Sequence, residues 1–312
     1  MSIAMTPVET RMTPLTWGLL ALLGLIWGAS FFFGRIAVQH VPAFTLVFLR
    51  VFIAAVALHL FIRGRFDIYA QLVARWRTFL VLGLINNAIP HSLIFLGQTQ
   101  IGAGLASILN ATTPIWTVLI AHALTDDEKL SPRKLGGTAL GLAGTIFLIG
   151  PSAVGHLGAT SAGIPLWALV LPLGAAISYG LAGIYGRRFR ALAPPVTAAG
   201  QLTASSLIML PVSLLADHPW TLEMPPLTTI LAILALALVS TAYGYILFFR
   251  IMARAGATNT SLVTLLVPPS ALLFGLVFLG ERLDTTDIGG MTLIAAGLIV
   301  LDGRLLARSR TR

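Results

Sequence analysis

The segment NNAIPHSLIFLGQT (86–99) sets amides, an imidazole and a proline in the middle of an otherwise apolar run. Asn87, His91 and Gln98 stand at i, i+4 and i+11, which keeps them on one face of a helix. Where such a helix crosses a bilayer, polar groups facing lipid are costly, so this face looks inward. Asn110 and Gln201, each within another apolar run, could join it. The chemistry open to amides is hydrogen bonding, and His91 could also carry a proton. Two readings of Asn87 stand side by side, helix–helix bonding and ligand contact. For His91 they are a packed, hydrogen-bonded ring and a substrate contact or proton carrier. His59 and His122 sit near helix ends and read as interfacial.

Arg50 is the only charged residue well inside an apolar run. A charge at a helix centre costs roughly 2.5–3.5 kcal/mol on insertion scales, so it needs a partner. That partner is either a structural one or the carboxylate of a substrate. An aromatic set accompanies these groups: Trp27, Phe31 and Tyr179, with Trp116, Tyr243 and Tyr245 on neighbouring runs. Ring faces suit apolar or cationic ligands, and they serve equally for core packing and interfacial anchoring. No apolar run holds an internal Asp or Glu. That disfavours a proton-driven exporter of cationic drugs and a carrier of polyvalent cations. A single buried Arg is few for a phosphate-ester exchanger. A neutral or zwitterionic, fairly apolar substrate fits better.

The elements that must position these residues follow from composition. Of 312 residues, 57% are hydrophobic and 10% charged, against roughly a quarter charged in soluble domains. Mean hydropathy is +0.91. The chain therefore reads as an all-α integral membrane protein, since a span needs about 20 apolar residues. Ten spans are expected, near 15–34, 43–62, 78–98, 103–124, 133–151, 163–186, 195–216, 227–249, 258–279 and 285–303. The first is long for a signal-peptide core and reads as a true helix. Connections are too short for a nucleotide-binding domain, and no GxxxxGK[ST] loop occurs. The net charge of +9 is topological. With the N-terminus inside, every Lys and Arg except Arg35, Arg50 and Arg282 falls on the cytoplasmic side. The positive-inside rule then puts both termini in the cytoplasm, and nucleic acid is not an expected partner. The absence of cysteine decides nothing about redox setting.

The second half repeats the first. At an offset of 153, Glu128 falls on Glu281, Leu130 on Leu283, Gly136-Gly137 on Gly289-Gly290, and Gly144 on Gly297. At 152, Trp27 meets Tyr179, Gly28 meets Gly180, and Pro42 meets Pro194. Five spans per half reverse the membrane sense of the second half, giving inverted repeats at 1–155 and 156–312, the usual plan of a secondary transporter. Pro114 in the fourth span and Pro268-Pro269 in the ninth are matched mid-span prolines. Each proline frees the carbonyl four residues earlier, on Asn110, Thr264 and Leu265. They read either as broken helices around a midplane site or as ordinary kinks, with Pro90 a further hinge. Glu128 and Glu281 read as structural loop acids, with Ser131 and Asp284 as helix caps. The Gly-rich fifth and tenth spans read as packing within the chain rather than as a dimer face.

Together WGASFFFGR with Arg50, NNAIPHSLIFLGQT, GLASILNATTPIWTVLIAH, DEKL and GATNTSLVTLLVPPSALLFGLVFLGE resemble the drug/metabolite transporter superfamily, of the ten-helix EamA type. The resemblance covers nearly the whole chain and recurs in both halves. It implies a single-chain bacterial inner-membrane exporter whose spans one to four and six to nine enclose a central cavity, with spans five and ten peripheral. It implies alternating access with the prolines as bending points. Relatives often carry an aromatic where His91 stands, so His91 is a departure that could tune specificity. The expected cargo is a small neutral or zwitterionic metabolite, aromatic or hydrophobic amino acids first. Efflux of amphipathic toxic compounds is the alternative within transport. From another class, the alternative is a non-transporting receptor, scaffold or intramembrane enzyme. No GxSxG, HExxH or paired intramembrane carboxylates support enzyme chemistry. No cofactor or metal is expected, and the partners are the substrate and the bilayer. The chain is read as a monomer, with a homodimer as the other case.

Overall fold

The computed structural model describes residues 13–62, 67–125, 131–155, 164–189, 191–248, 250–251, 254, 263–282 and 285–302, and every regular element among them is helical. In chain order these are α1 (Pro14–Ala37), α2 (Ala43–Phe61), a short α3 (Ile68–Ala74), α4 (Trp76–Gln98), α5 (Ala103–Leu124) and α6 (Pro132–Gly155). They continue with α7 (Leu166–Tyr185), α8 (Pro194–Ala216), α9 (Leu227–Phe248), α10 (Val263–Phe278) and α11 (Thr285–Asp302). Seven of them, α1, α2, α4, α5, α7, α8 and α9, are long and apolar enough to cross a membrane. Shorter apolar stretches lie in α10 (Leu266–Phe278) and α11 (Ile288–Val300). This is a multi-pass membrane protein.

Proline sets where the helices begin. Pro14, Pro132 and Pro194 open helices, and Pro42, Pro165 and Pro226 stand just before them. The fixed φ suits a first turn, and the missing N–H is one that no helix would pair there. Thr13 Oγ1 accepts from Thr16 N at 3.3 Å, and Ser131 Oγ accepts from Lys134 N at 3.3 Å, the cap read from sequence. Thr285 opens α11, while Glu128 and Asp284 lie outside the described residues.

The helix contacts pair off by the offset seen in the sequence. α1 packs on α10 as α7 packs on α5; α4 packs on α8 and α7 as α9 packs on α2 and α1. The pairs α2–α8 and α6–α11 each join a helix to its own counterpart. Close approach rests on matched glycines. A Cβ on Gly28 would meet Ala271 N at 2.8 Å, and one on Gly180 would meet Thr117 N at 3.1 Å. Between α6 and α11, a Cβ on Gly297 would lie 2.6 Å from Gly141 N and 2.7 Å from Gly137 O. The Gly-rich helices therefore seat on each other within the chain, where small residues let backbones approach.

The irregular backbone is not where paired prolines put it. α5 does break, with turns at Ala111–Thr112 just before Pro114. The carbonyl freed by Pro114, on Asn110, accepts the Thr113 hydroxyl at 2.7 Å. α10, by contrast, runs as one helix from Val263 through Pro268 and Pro269. Proline's φ is itself helical, and α10 is clamped against Gly24 and Gly28 of α1, so lost bonds do not become a break. The matched irregularities are instead two π-helical turns, Leu84–Ala88 in α4 and Ala235–Tyr243 in α9. They occupy equivalent places at the repeat offset. Such turns widen the backbone and are frequent at functional sites.

Candidate functional site

A cavity of about 460 Å³ lies among α1, α2, α4, α5, α7, α8, α9 and α10. α6 and α11 contribute nothing to its wall. Of the residues singled out from sequence, Trp27, Phe31, Arg50, His91, Asn110, Tyr179, Gln201 and Tyr245 line it. The helices of its wall are those of the runs expected as spans one to four and six to nine.

Among the described residues, Arg50 is the only Lys, Arg, Asp or Glu in the wall. It is 8% exposed and donates from Nε to Thr241 Oγ1 at 2.9 Å, while its Cζ sits 5.7 Å from the centre of the Phe95 ring. Thr241 belongs to the π turn of α9, and its hydroxyl in turn donates to Leu236 O at 2.8 Å, a bond across the widened turn. The other π turn makes the counterpart link: Asn86 Nδ2 donates to Gln201 Oε1 at 2.8 Å. Each π turn thus ties one polar side chain of the wall to the helix it packs on. Two serines fasten the same elements, Ser178 Oγ to Ile85 O at 2.6 Å and Ser240 Oγ to Ile26 O at 3.1 Å.

His91 lies against Phe95 and edge-on to Tyr179, each with ring centres 6.4 Å apart. Its Nδ1 has no hydrogen-bond partner among the described residues, and neither has Asn110 Oδ1. Both atoms are buried, on residues that line the cavity. Trp27 stacks on Phe248 with centres 5.5 Å apart.

Three candidates are elsewhere. Asn87 is fully buried but behind the wall, where Oδ1 accepts from Tyr245 OH at 3.2 Å. Gln98 lies at the far end of α4 and donates from Nε2 to Phe31 O at 2.7 Å. Tyr243 is 46% exposed on the outer surface. Residues two apart lie on opposite sides of a helix, so Tyr243 cannot share the face of Tyr245. None of Pro90, Pro114, Pro268 and Pro269 lines the cavity; Pro90 follows directly on the π turn of α4. Sequence reasoning missed Ser30, Phe95, Ser107, Ser240, Thr241 and Phe248. The Ser240-Thr241 pair in an apolar run was a readable signal, whereas Phe95 and Phe248 look like any core aromatic.

Side-chain hydrogen bonds gather at one end of the bundle. Glu281, after α10, accepts from Ala103 N (2.6 Å) and Gly104 N (3.0 Å), covering the N-terminus of α5. Asp217 Oδ2 accepts from Thr45 N and Oγ1 at 2.6 and 2.9 Å. Arg35 donates from Nη1 to Gln98 O, and Thr229 Oγ1 bonds His40 Nδ1 at 3.0 Å. Anions at helix N-termini are stabilising, so Glu281 holds a structural post, as its sequence context suggested. The cavity instead reaches toward the opposite end, with Gly186, Thr197 and Thr264 in its wall.

The sequence pattern of the EamA-like transporter family matches residues 15–150 and again residues 166–301. The chain belongs to that family. This EamA-type protein of the drug/metabolite transporter superfamily is therefore a membrane transporter. It is 30% identical over 297 residues to a "probable amino-acid metabolite efflux pump" of Salmonella typhimurium, covering 91% of this chain and 93% of that one. It is 28% identical over 290 residues to the uncharacterized inner membrane transporter YedA of Escherichia coli K12, covering 91% and 88%. With the uncharacterized transporter YoaV of Bacillus subtilis it shares 24% over 284 residues, covering 88% and 92%. A crystal structure at 21% identity superposes with a TM-score of 0.64, covering 96% of this chain and 99% of that one, which shows a common fold.

Proposed function

We propose that this EamA-type protein exports small neutral or zwitterionic metabolites, amino acids with aromatic or hydrophobic side chains first among them, from a bacterial cytoplasm. It does so as a carrier rather than an enzyme, by alternating access. Ten spans in two inverted repeats, 1–155 and 156–312, place both termini in the cytoplasm of an inner-membrane monomer. The observation that carries the reading is the cavity itself. At about 460 Å³ it falls within the roughly 300–1,000 Å³ of small-molecule sites. Its lining surface is mostly apolar, about half of its lining side chains carry a polar group, and none of them is a carboxylate among the described residues. The 30% identical Salmonella relative, named for amino-acid metabolites, supports the cargo class.

The basic residues follow the end toward which the cavity reaches, which supports a cytoplasmic reading of that end and an external one of the Glu281 end. This arrangement is the inward-facing state of a carrier awaiting cargo. Export then requires the Glu281, Asp217 and Arg35 ties to part while the cytoplasmic helix ends close, with the π turns as the yielding elements. The test is counterflow in proteoliposomes loaded with a panel of unlabelled amino acids. Uptake of a labelled member supports the reading. Movement of amphipathic dyes with no amino acid moving supports the second reading, toxic-compound efflux, which the apolar wall favours. No movement of either overturns both readings of the cargo.

A further inference from the structure

Resting on that reading, we infer that Arg50 is the carboxylate receptor of the cavity and that the cargo is a monocarboxylate, an amino acid carrying its free α-carboxylate. The geometry separates this from a structural ion pair. Among the described residues no carboxylate approaches Arg50, and its contacts are the Thr241 hydroxyl on Nε and the face of Phe95. Those two contacts use one N–H and one face of the guanidinium. Among the described residues, the edge formed by the two terminal NH2 groups has no hydrogen-bond partner, on a residue that lines the cavity.

That edge is what a carboxylate needs. A guanidinium presents parallel N–H donors in a rigid fork, matched to two carboxylate oxygens, and Arg differs from Lys in this respect. Thr241 and Phe95 hold the plane before any ligand arrives, so little freedom is lost on binding. A buried cation with no counter-charge is costly to keep, and a binding anion relieves that cost. One cation balances one negative charge, which favours a monocarboxylate over a dicarboxylate or a phosphate ester. An acceptor for the amino group is offered by Asn110 in the same wall, whose Oδ1 has no hydrogen-bond partner among the described residues. Thr241 is a positioning residue for Arg50.

The experiment is competition against counterflow of labelled L-phenylalanine in proteoliposomes, using unlabelled L-phenylalanine and L-phenylalaninamide, which differ at the carboxylate. In the wild-type protein the amide is expected to compete at least tenfold more weakly than the acid. In Arg50→Gln the difference is expected to shrink to within twofold, and Arg50→Lys to recover only part of it. Equal competition by acid and amide in the wild type overturns the inference, and that arm needs no variant to fold. An unchanged acid-to-amide ratio in Arg50→Gln overturns it as well. Absence of counterflow for every labelled amino acid of the panel removes the amino-acid export reading and this inference together, whereas counterflow with equal competition removes the inference alone.

Discussion

Arg50 on α2 donates from Nε to Thr241 Oγ1 on α9 at 2.9 Å, joining a charged side chain of the cavity wall to a π turn. Asn86 in the other π turn makes the related bond to Gln201 at 2.8 Å. Two polar side chains of the cavity wall are thereby each bonded across a helix pair that includes a π turn.

Thr241→Val keeps the shape and removes the hydroxyl. A hydrogen bond to a charged group contributes about 1.5–3 kcal/mol, so thermal stability in detergent is expected to fall by that order. The half-saturating concentration of a carboxylate cargo should rise about tenfold, since 1.4 kcal/mol is tenfold in affinity. An unchanged concentration dependence would show that the bond does not orient Arg50.

His91→Phe should fold as well as the parent protein. His91 Nδ1 makes no hydrogen bond, and the ring's neighbours are Phe95 and Tyr179. Stability is expected to change by less than about 1 kcal/mol, as for other size-conserving swaps. The variant should shift competition toward more apolar amino acids. A large drop in melting temperature would instead mark His91 as a structural residue.

Glu281→Gln weakens the two charge-assisted bonds to Ala103 N and Gly104 N that cover the start of α5. The natural chain has no cysteine, so Ser30→Cys in the cavity wall is a clean reporter. External labelling of that thiol by a membrane-impermeant reagent is expected to speed up several-fold in the Gln variant. Equal labelling rates would mean that the Glu281 tie does not hold this end closed.

Gly297→Ala puts a Cβ within 2.6 Å of Gly141 N, where backbone must move. Overpacking of this kind costs about 1–3 kcal/mol. Because α6 and α11 do not line the cavity, the protein that survives should keep its half-saturating concentration. A shifted concentration dependence at unchanged stability would contradict a purely structural role for this pair.

Much of this architecture was written in composition and repetition. The offset that puts Gly144 on Gly297 is the offset by which α6 and α11 interlock, because a small residue is required wherever two backbones touch. His91 and Asn110 were legible because a polar side chain in hydrocarbon needs a reason, and both face the cavity. Asn87 satisfied the same rule differently. Its partner, Tyr245, lies 158 positions away, and only the tertiary fold reveals that it is already engaged. Prolines misled in α10 because a missing bond is a local fact, whereas a break depends on what clamps the helix. The π turns left almost no trace, since one extra residue per turn has no composition of its own. Pro90 hinted at the first, and nothing but Ser240-Thr241 hinted at the second.

The most direct test of the central claim is L-phenylalanine counterflow by three proteins in liposomes: the parent, Ser107→Phe, which fills the cavity from α5, and Tyr243→Ala, which alters only the outer surface. The account predicts accumulation of label with the parent and with Tyr243→Ala, and near-background accumulation with Ser107→Phe. Accumulation by a folded Ser107→Phe protein equal to that of the parent would contradict it.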